Sequence, residues 1–324
     1  MNDYILGVEI GGTKLQLAIA DIDGGLLYTA RGEVKAEDGA SGILLWLEQN
    51  ARQIISKARE FGGRIAGIGL GFGGPVDSAT GRIIISNQIQ GWKGFALKDW
   101  LQDKFKLPAV VHNDSNAACW GEYKNGFGKG ARNFCYMNIG SGIGGGLVIN
   151  GKLHDGQGFG AAEFGQTYVS DWTINTPGAV KKLELICSGW AIEERLRHPG
   201  YVPERSALLK LCGGDVNSIT CAMLGAAADS DDFALKEISR VARSVAIALA
   251  NVLSIVNPER IAMGGGVLNL GEAILAPIKK YLKEYEFISS SEKYEIGKCQ
   301  LEETIVLVGA VLLFKETSGG LHCN

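Results

Sequence analysis

Tyr4-Ile5-Leu6-Gly7-Val8-Glu9-Ile10-Gly11-Gly12-Thr13-Lys14-Leu15-Gln16-Leu17-Ala18-Ile19-Ala20-Asp21 is two apolar runs with a glycine turn between them. The runs are rich in β-branched and aliphatic residues, so they predict two strands of a hairpin. The same plan returns later in the chain. Asn133-Phe134-Cys135-Tyr136-Met137-Asn138-Ile139 predicts a strand, and residues 140–146 (Gly-Ser-Gly-Ile-Gly-Gly-Gly) predict a glycine loop. Leu147-Val148-Ile149 predicts the returning strand, closed by the hairpin signal Asn150-Gly151. A strand, glycine turn and strand that recur in this way point to an internal duplication.

Other elements follow from the two halves. Asp23-Gly24-Gly25 marks a turn, and Leu26-Leu27-Tyr28 begins a third strand. Ser41 is placed to cap a helix whose apolar face is Leu44, Leu47, Ala51, Ile54, Ile55 and Ala58. Residues 64–72 predict a buried strand that ends in the tight loop Gly73-Gly74-Pro75-Val76-Asp77. Gly91-Trp92-Lys93-Gly94 leads into a short helix carrying Leu97, Trp100, Leu101 and Phe105. The region after residue 175 reads as mostly helical. Its longest helix spans roughly Asp232 to Val256, with Leu235, Ile238, Ala242, Val245, Leu249, Val252, Leu253 and Val256 on its apolar face. Arg260-Ile261-Ala262-Met263 predicts a strand ending in Gly264-Gly265-Gly266, and a last helix includes residues 309–314.

Composition narrows the function classes. With 324 residues the chain is long enough for one large domain or two ordinary ones. A net charge of −3 gives no basic field for nucleic acid. Seven cysteines, an odd number with no C-x-x-C, read as reduced thiols of a cytoplasmic protein. No uninterrupted apolar run approaches ~20 residues, so no membrane span is expected. The 46 glycines are about twice the ordinary share of ~7%. Their clustering in loops points to close backbone approach to a ligand.

Chemistry concentrates at strand ends. Pro108-Ala109-Val110-Val111 predicts a short buried strand that stops at Asn113-Asp114, where a helix begins. Asp114, Ser115 and Asn116 all suit a helix start, and Asp114 alone would read as an N-cap. A carboxylate there also sits among unpaired amides and can accept a proton from a substrate hydroxyl. Three glycine loops end strands: Gly11-Gly12-Thr13-Lys14, residues 140–146, and Gly264-Gly265-Gly266. Such turns let phosphate oxygens reach backbone amides, and Thr13, Ser141 and Lys14 add donors. Three in one chain favour a nucleotide. The dinucleotide fingerprint is rejected, because the loop after Gly140 is followed by a strand and not a helix. No P-loop occurs either, since Gly128-Lys129-Gly130 lacks both the Ser/Thr and the earlier glycine.

Taken together these segments resemble the ROK group (repressors, open reading frames, sugar kinases) almost from end to end. Glu9-Ile10-Gly11-Gly12-Thr13-Lys14 resembles its first phosphate loop, and Gly140 to Gly146 its second. Gly73-Gly74-Pro75-Val76-Asp77, then Asn87 with residues 91–94, resemble its sugar-side segments. Asn113-Asp114-Ser115-Asn116-Ala117-Ala118 resembles its catalytic stretch, Glu163-Phe164-Gly165-Gln166 its E-x-G-H motif, and Gly264-Gly265-Gly266-Val267 its adenosine loop.

The resemblance implies an α/β, actin-like ATPase (ribonuclease H-like) fold with two lobes around a nucleotide and sugar cleft. The expected lobes are 1–113 plus 305–324, and 114–304. It implies ATP-dependent phosphorylation of a hexose hydroxyl with Asp114 as general base. Gly74, Asn87, Asn113, Glu163, Gln166 and Glu184 would bind sugar. Gly11, Gly12, Thr13, Lys14, Ser141, Gly142, Gly264, Gly265 and Gly266 would bind ATP, and Glu9 would hold Mg²⁺ through water. A homodimer is expected.

The sequence departs from the pattern at one point. Many members carry structural zinc on the motif histidine and three cysteines; those positions here are Gln166, Asn175, Pro177 and Lys182. None is an ordinary zinc ligand, so no zinc is expected, and packing of Trp172 and Leu183 is expected to hold the segment. The alternatives are a sugar-sensing transcriptional regulator and a catalytically impaired sugar-binding protein. The regulator would need a DNA-binding segment, for which no basic helix pair is seen. The intact Asp114 and phosphate loops weigh against the impaired protein.

Overall fold

The computed structural model describes residues 2–86, 89–158, 160–287 and 292–318. The chain separates into two compact units. One comprises Met1–Gly130, Gly146–Ala162 and Gln300–Asn324, and the other Ala131–Gly145 and Glu163–Cys299.

The first unit begins with the hairpin. β1 (Asn2–Ile10) pairs antiparallel with β2 (Lys14–Ala20), which pairs with β3 (Leu26–Glu33). The third strand is longer than its three-residue signal because it copies the length of β2. Helix α1 (Gly39–Lys57) follows, then β4 (Gly63–Phe72), parallel to β1. The small hairpin of β5 (Val76–Asp77) and β6 (Arg82–Ile83) precedes α2 (Leu97–Phe105). β7 (Ala109–Asn113) then lies parallel to β4 and runs straight into α3 (Asp114–Asn125). Ser41 lies inside the first turn of α1, not at its cap: the chain already turns helical at Gly39.

The second half repeats the order. β8 (Phe134–Ile139), β9 (Ile143–Ile149) and β10 (Lys152–Leu153) are followed by the hairpin of β11 (Tyr168–Ser170) and β12 (Val180–Lys182). Helices α4 (Glu184–Cys187), α5 (Gly189–Arg197), α6 (Ala207–Leu211), α7 (Cys221–Ala227) and α8 (Asp232–Ile255) come next. Then follow β13 (Arg260–Gly264), α9 (Glu272–Tyr285), β14 (Glu295–Lys298) and α10 (Ile305–Thr317).

Among the described residues the strands form two five-stranded sheets, in the orders β3-β2-β1-β4-β7 and β10-β9-β8-β13-β14. The two orders correspond strand for strand. Each has a three-strand meander followed by two parallel strands reached through helices. The duplication read from the sequence is therefore a duplication of topology, and the fold is α/β and actin-like.

The glycine loop expected at 140–146 is shorter than its composition suggests. Ile143 to Gly146 already belong to β9. Gly145 and Gly146 are in strand conformation because their faces are taken: a Cβ at Gly145 would overlap the Phe164 ring, and one at Gly146 would overlap Cys119.

The expected lobe boundary after residue 113 also falls elsewhere. α3 packs in the first unit against α10, through two glycines. A Cβ on Gly121 would stand 2.8 Å from the Ile305 carbonyl, and one on Gly309 would overlap the Ala117 carbonyl. This backbone-to-backbone approach joins residues 114–125 to the unit that holds β1 and β4.

α8 is capped by the Asp231 side chain, which accepts from the amides of Phe233 and Ala234. By length and composition this helix could cross a membrane. It is a core helix of the second unit, with Ile238, Val241, Val245 and Leu249 buried, and its buried Glu237 is paired with Arg195 at 2.6 Å. Leu235, expected on the apolar face, is instead exposed.

Candidate active site

In the first unit the site is assembled at the ends of β1, β4 and β7. The cap of α3 is Asn113, not Asp114: its Oδ1 accepts from the amides of Ser115 (2.9 Å) and Asn116 (3.0 Å). The same amide group donates from Nδ2 to the Gly74 carbonyl at 3.0 Å. One side chain thus fixes both the helix start and the Gly73-Gly74-Pro75 loop. Asp114 becomes the first helical residue, with Oδ1 2.7 Å from the Ser115 amide. Its Oδ2 faces Gly73, where a Cβ would lie 3.4 Å from that oxygen and 3.4 Å from the Gly11 Cα. Any side chain at 73 would stand over the carboxylate. Gly73 was not singled out in the sequence, although its place directly after an apolar strand is the kind of signal that marks such residues.

The turn after β1 is closed by the Gly11 amide donating to the Lys14 carbonyl at 3.0 Å. Glu9 is the penultimate residue of β1, just before this turn. Its Oε1 pairs with Lys14 Nζ at 3.2 Å, and its Oε2 is buried with no hydrogen-bond partner among the described residues. Burial is the main force on this carboxyl and lifts its pKa to about 7. The lysine opposes the shift, while the charges of Asp114 and Glu303 add to it. A buried carboxylate oxygen without a partner fits a hydrated cation, so Glu9 is chemically suited to hold Mg²⁺ through water. Gly12 and Thr13 form the bend of the turn.

In the second unit the loop after β8 is closed by the Gly140 amide on the Gly142 carbonyl, 2.9 Å. The amides of Gly189 (2.7 Å) and Trp190 (3.4 Å) donate to the carbonyls of Gly140 and Ser141, so the start of α5 braces this loop. Glu184 Oε2 accepts from the Ile143 amide at 2.8 Å. Glu184 therefore supports the loop directly, a contact that its spacing in the sequence did not reveal. Glu163 is more exposed, but partial desolvation, and secondly the like charge of Glu184, raise its pKa above the ordinary carboxylate value. After β13, Gly265 has φ 91°, and a Cβ there would lie 2.5 Å from Asn138 Oδ1. Only glycine allows this loop to lie against the end of β8. Gly264 is buried and Gly266 exposed.

Gln166 is exposed, and its Oε1 accepts from Lys182 Nζ at 2.8 Å. These two positions stand where zinc ligands occur in the resembling pattern, and they are joined by an amide–ammonium hydrogen bond. The β11–β12 hairpin is anchored by Trp172. Its indole donates to Ser244 at 2.9 Å, and its ring lies 4.8 Å from the Arg195 guanidinium and 5.4 Å from that of Arg240. Leu183 is fully buried. Among the described residues no group of three or more His, Cys, Asp or Glu is arranged for a metal ion. Asn87 lies outside the described residues.

The structure thus gathers Glu9, Gly11, Gly73, Gly74, Asn113 and Asp114 in the first unit, and Ser141, Gly142, Glu163 and Glu184 in the second. The chain is 30% identical over 326 residues to the glucokinase of Halalkalibacterium halodurans, covering 99% of this chain and 98% of that one. It is 31% identical over 316 residues to the glucokinase of Streptomyces coelicolor, covering 96% and 97%. A solved ROK family glucokinase from Streptomyces griseus, in complex with glucose and AMPPNP, superposes with a TM-score of 0.79 at 30% identity, over 96% of this chain and 98% of that one. The ROK family profile itself matches residues 5–317. With a profile match along nearly its whole length and relatives at 30% identity or more over almost the entire chain, the chain belongs to the ROK family.

Proposed function

We propose that this chain transfers the γ-phosphoryl group of ATP to a hydroxyl of a hexose, glucose or a close relative. The observation that carries the reading is the division of labour at the start of α3. Asn113 caps the helix and holds Gly74, while Asp114, next in sequence, points an oxygen at the bare Gly73. The relatives named glucokinase, and the glucokinase solved with glucose and AMPPNP, support the same donor and acceptor class.

In this reading Asp114 takes the proton from the acceptor hydroxyl as its oxygen attacks the γ-phosphorus and ADP departs. Gly74, Asn87, Asn113, Glu163, Gln166 and Glu184 form the sugar side. Gln166 offers its amide nitrogen, its oxygen being engaged by Lys182. Glu184 contributes to the sugar side with one oxygen already on the Ile143 amide. The turn Gly11-Gly12-Thr13-Lys14, with Ser141, Gly142 and Gly264-Gly265-Gly266, serves ATP through backbone amides, hydroxyls and the Lys14 ammonium. Mg²⁺, held by Glu9 through water, would neutralise phosphate charge. The Gln166–Lys182 pair and the Trp172 anchor take the place of a structural zinc in this reading, and no zinc is expected there. We further propose a cytoplasmic homodimer that binds neither nucleic acid nor membrane.

The deciding experiment is ADP release from Mg²⁺-ATP against a panel of hexoses, with Asp114→Asn alongside. Turnover with at least one hexose is expected, and the variant should lose about 10²-fold to 10⁴-fold while remaining folded. Near-normal turnover in Asp114→Asn would remove Asp114 from the role; no turnover with any hexose would remove the kinase reading.

A further inference from the structure

The chain that follows β10 makes an unusual connection within the first unit. Asp155 is in the turn after that strand. Its Oδ1 accepts from Asn116 Nδ2 at 3.1 Å, and its Oδ2 accepts from the Ser78 hydroxyl. Asn116 is in the first turn of α3, two residues after Asp114. Ser78 is in the turn of the β5–β6 hairpin, directly after the Gly73-Gly74-Pro75 segment. The Asp155 turn is itself closed by the Gly158 amide on the Asp155 carbonyl, 2.7 Å, and the Gly158 carbonyl accepts from the Ser78 amide at 3.1 Å. The hairpin turn is braced from inside by Asp77, whose carboxylate accepts from the Ala79 and Thr80 amides and the Thr80 hydroxyl. Three segments distant in sequence therefore meet on one carboxylate.

We propose that Asp155 is a positioning residue for the phosphoryl transfer. It locks the first turn of α3 to the hairpin behind Gly74, and so sets where Asp114 stands relative to the acceptor sugar. This role rests on the kinase reading above. Asn113 makes the direct link between α3 and Gly74. Asp155 makes a second link, one turn deeper in the helix and one turn further along the loop. With both links the two segments cannot swivel about a single hydrogen bond. The two groups hydrogen-bonded to Asp155 are neutral donors, so these two bonds call for acceptor oxygens, while its charge also acts on the buried His112. An asparagine keeps the first bond, its oxygen accepting from Asn116, and keeps contact with Ser78 through a reversed bond, its amide donating to the turned hydroxyl. Misplacement of a base by a fraction of an ångström is costly because transfer demands a near-attack geometry.

The test compares Asp155→Ala, Asp155→Asn and Ser78→Ala with the unaltered protein. In Asp155→Ala, kcat/KM for the hexose should fall about tenfold or more, with KM for ATP within about twofold and Tm little changed. Asp155→Asn should stay within about threefold of the parent, and Ser78→Ala should fall between the two. Asp155→Ala with an unchanged hexose kcat/KM would overturn the proposal. So would equal losses in Asp155→Ala and Asp155→Asn, or a loss shared equally by ATP and hexose together with a lower Tm.

Amide hydrogen exchange reads the same link without any turnover. Asp155→Ala should speed exchange both at residues 78–83 and at 115–116, and Asp155→Asn should not. Unchanged exchange at either segment would refute the link itself. If the parent protein phosphorylates no hexose yet the exchange pattern holds, the kinase reading fails and the structural tie stands.

Discussion

Glu9 Oε1 is 3.2 Å from Lys14 Nζ, and the other oxygen of the same carboxylate is buried without a hydrogen-bond partner among the described residues. The lysine does not compensate for the burial, so the carboxyl titrates at about 7 in the folded chain. The unfolded reference is 4.5, so between these values the folded state binds the extra proton. Stability from this group is complete below the unfolded pKa and is lost as pH rises through about 7, a change of about 3 kcal/mol in the unliganded protein. Glu9→Gln cannot ionise, so its stability should fall less between about pH 5 and about pH 8. Urea unfolding of both proteins at the two pH values checks this; parallel changes in parent and variant would contradict it.

Asn113→Ala should cost about 1 kcal/mol of stability through the lost helix cap. The effect on turnover should be larger than this figure implies, because the same substitution releases the Gly74 carbonyl. Chemical unfolding and hexose kinetics on one preparation separate the two. A kcat/KM that falls only in step with stability would show that the Gly74 contact is idle.

Gly309→Ala should be among the most damaging single-methyl changes in the chain. The new Cβ would overlap the Ala117 carbonyl, and both partners are helix backbone, so neither can rotate away. A loss at or above the upper end of the ~1–3 kcal/mol usual for overpacking is expected, read as a lowered urea midpoint. A midpoint within error of the parent would show that α3 and α10 can separate at little cost.

Trp172→Ala should loosen the β11–β12 hairpin. The indole loses its bond to Ser244 and its place against two guanidinium groups, together worth about 2 kcal/mol. Added zinc should not restore the lost stability, and metal analysis of the parent should find no stoichiometric zinc. Tightly bound zinc at one per chain would overturn this account of the segment.

Much of the fold could be read from the chain because alternating and continuous apolar runs announce strands, and glycine clusters announce the turns between them. The repeat of residues 4–21 at 133–149 became the repeat of sheet order. Reading failed where glycine serves packing in place of turning. Gly145 and Gly146 are strand residues whose missing side chains make room for Phe164 and Cys119, and no local signal distinguishes that use. It failed also at α1, where helical geometry begins at Gly39, ahead of the better capping residue Ser41. At the candidate site, Asp114 is legible from its place at a strand end, whereas Asn113 and Glu9 enter only through the family resemblance. The partners that fix the site are not legible. Gln166 with Lys182, Glu184 with Ile143, and Asp155 with Ser78 and Asn116 are meetings of residues far apart in sequence, and only the folded backbone brings them together.

The close seating of Gly309 against Ala117 bears on the order of assembly during synthesis. The helix that carries Asp114 emerges from the ribosome long before its packing partner at residues 305–317. Until that last helix is delivered, one flank of the helix beginning at Asp114 has nothing to lie against. The nascent chain therefore acquires a correctly held Asp114 only once residues 305–317 have emerged, and a product stopped short of residue 305 should be incompetent even though every residue named at the site has already been made.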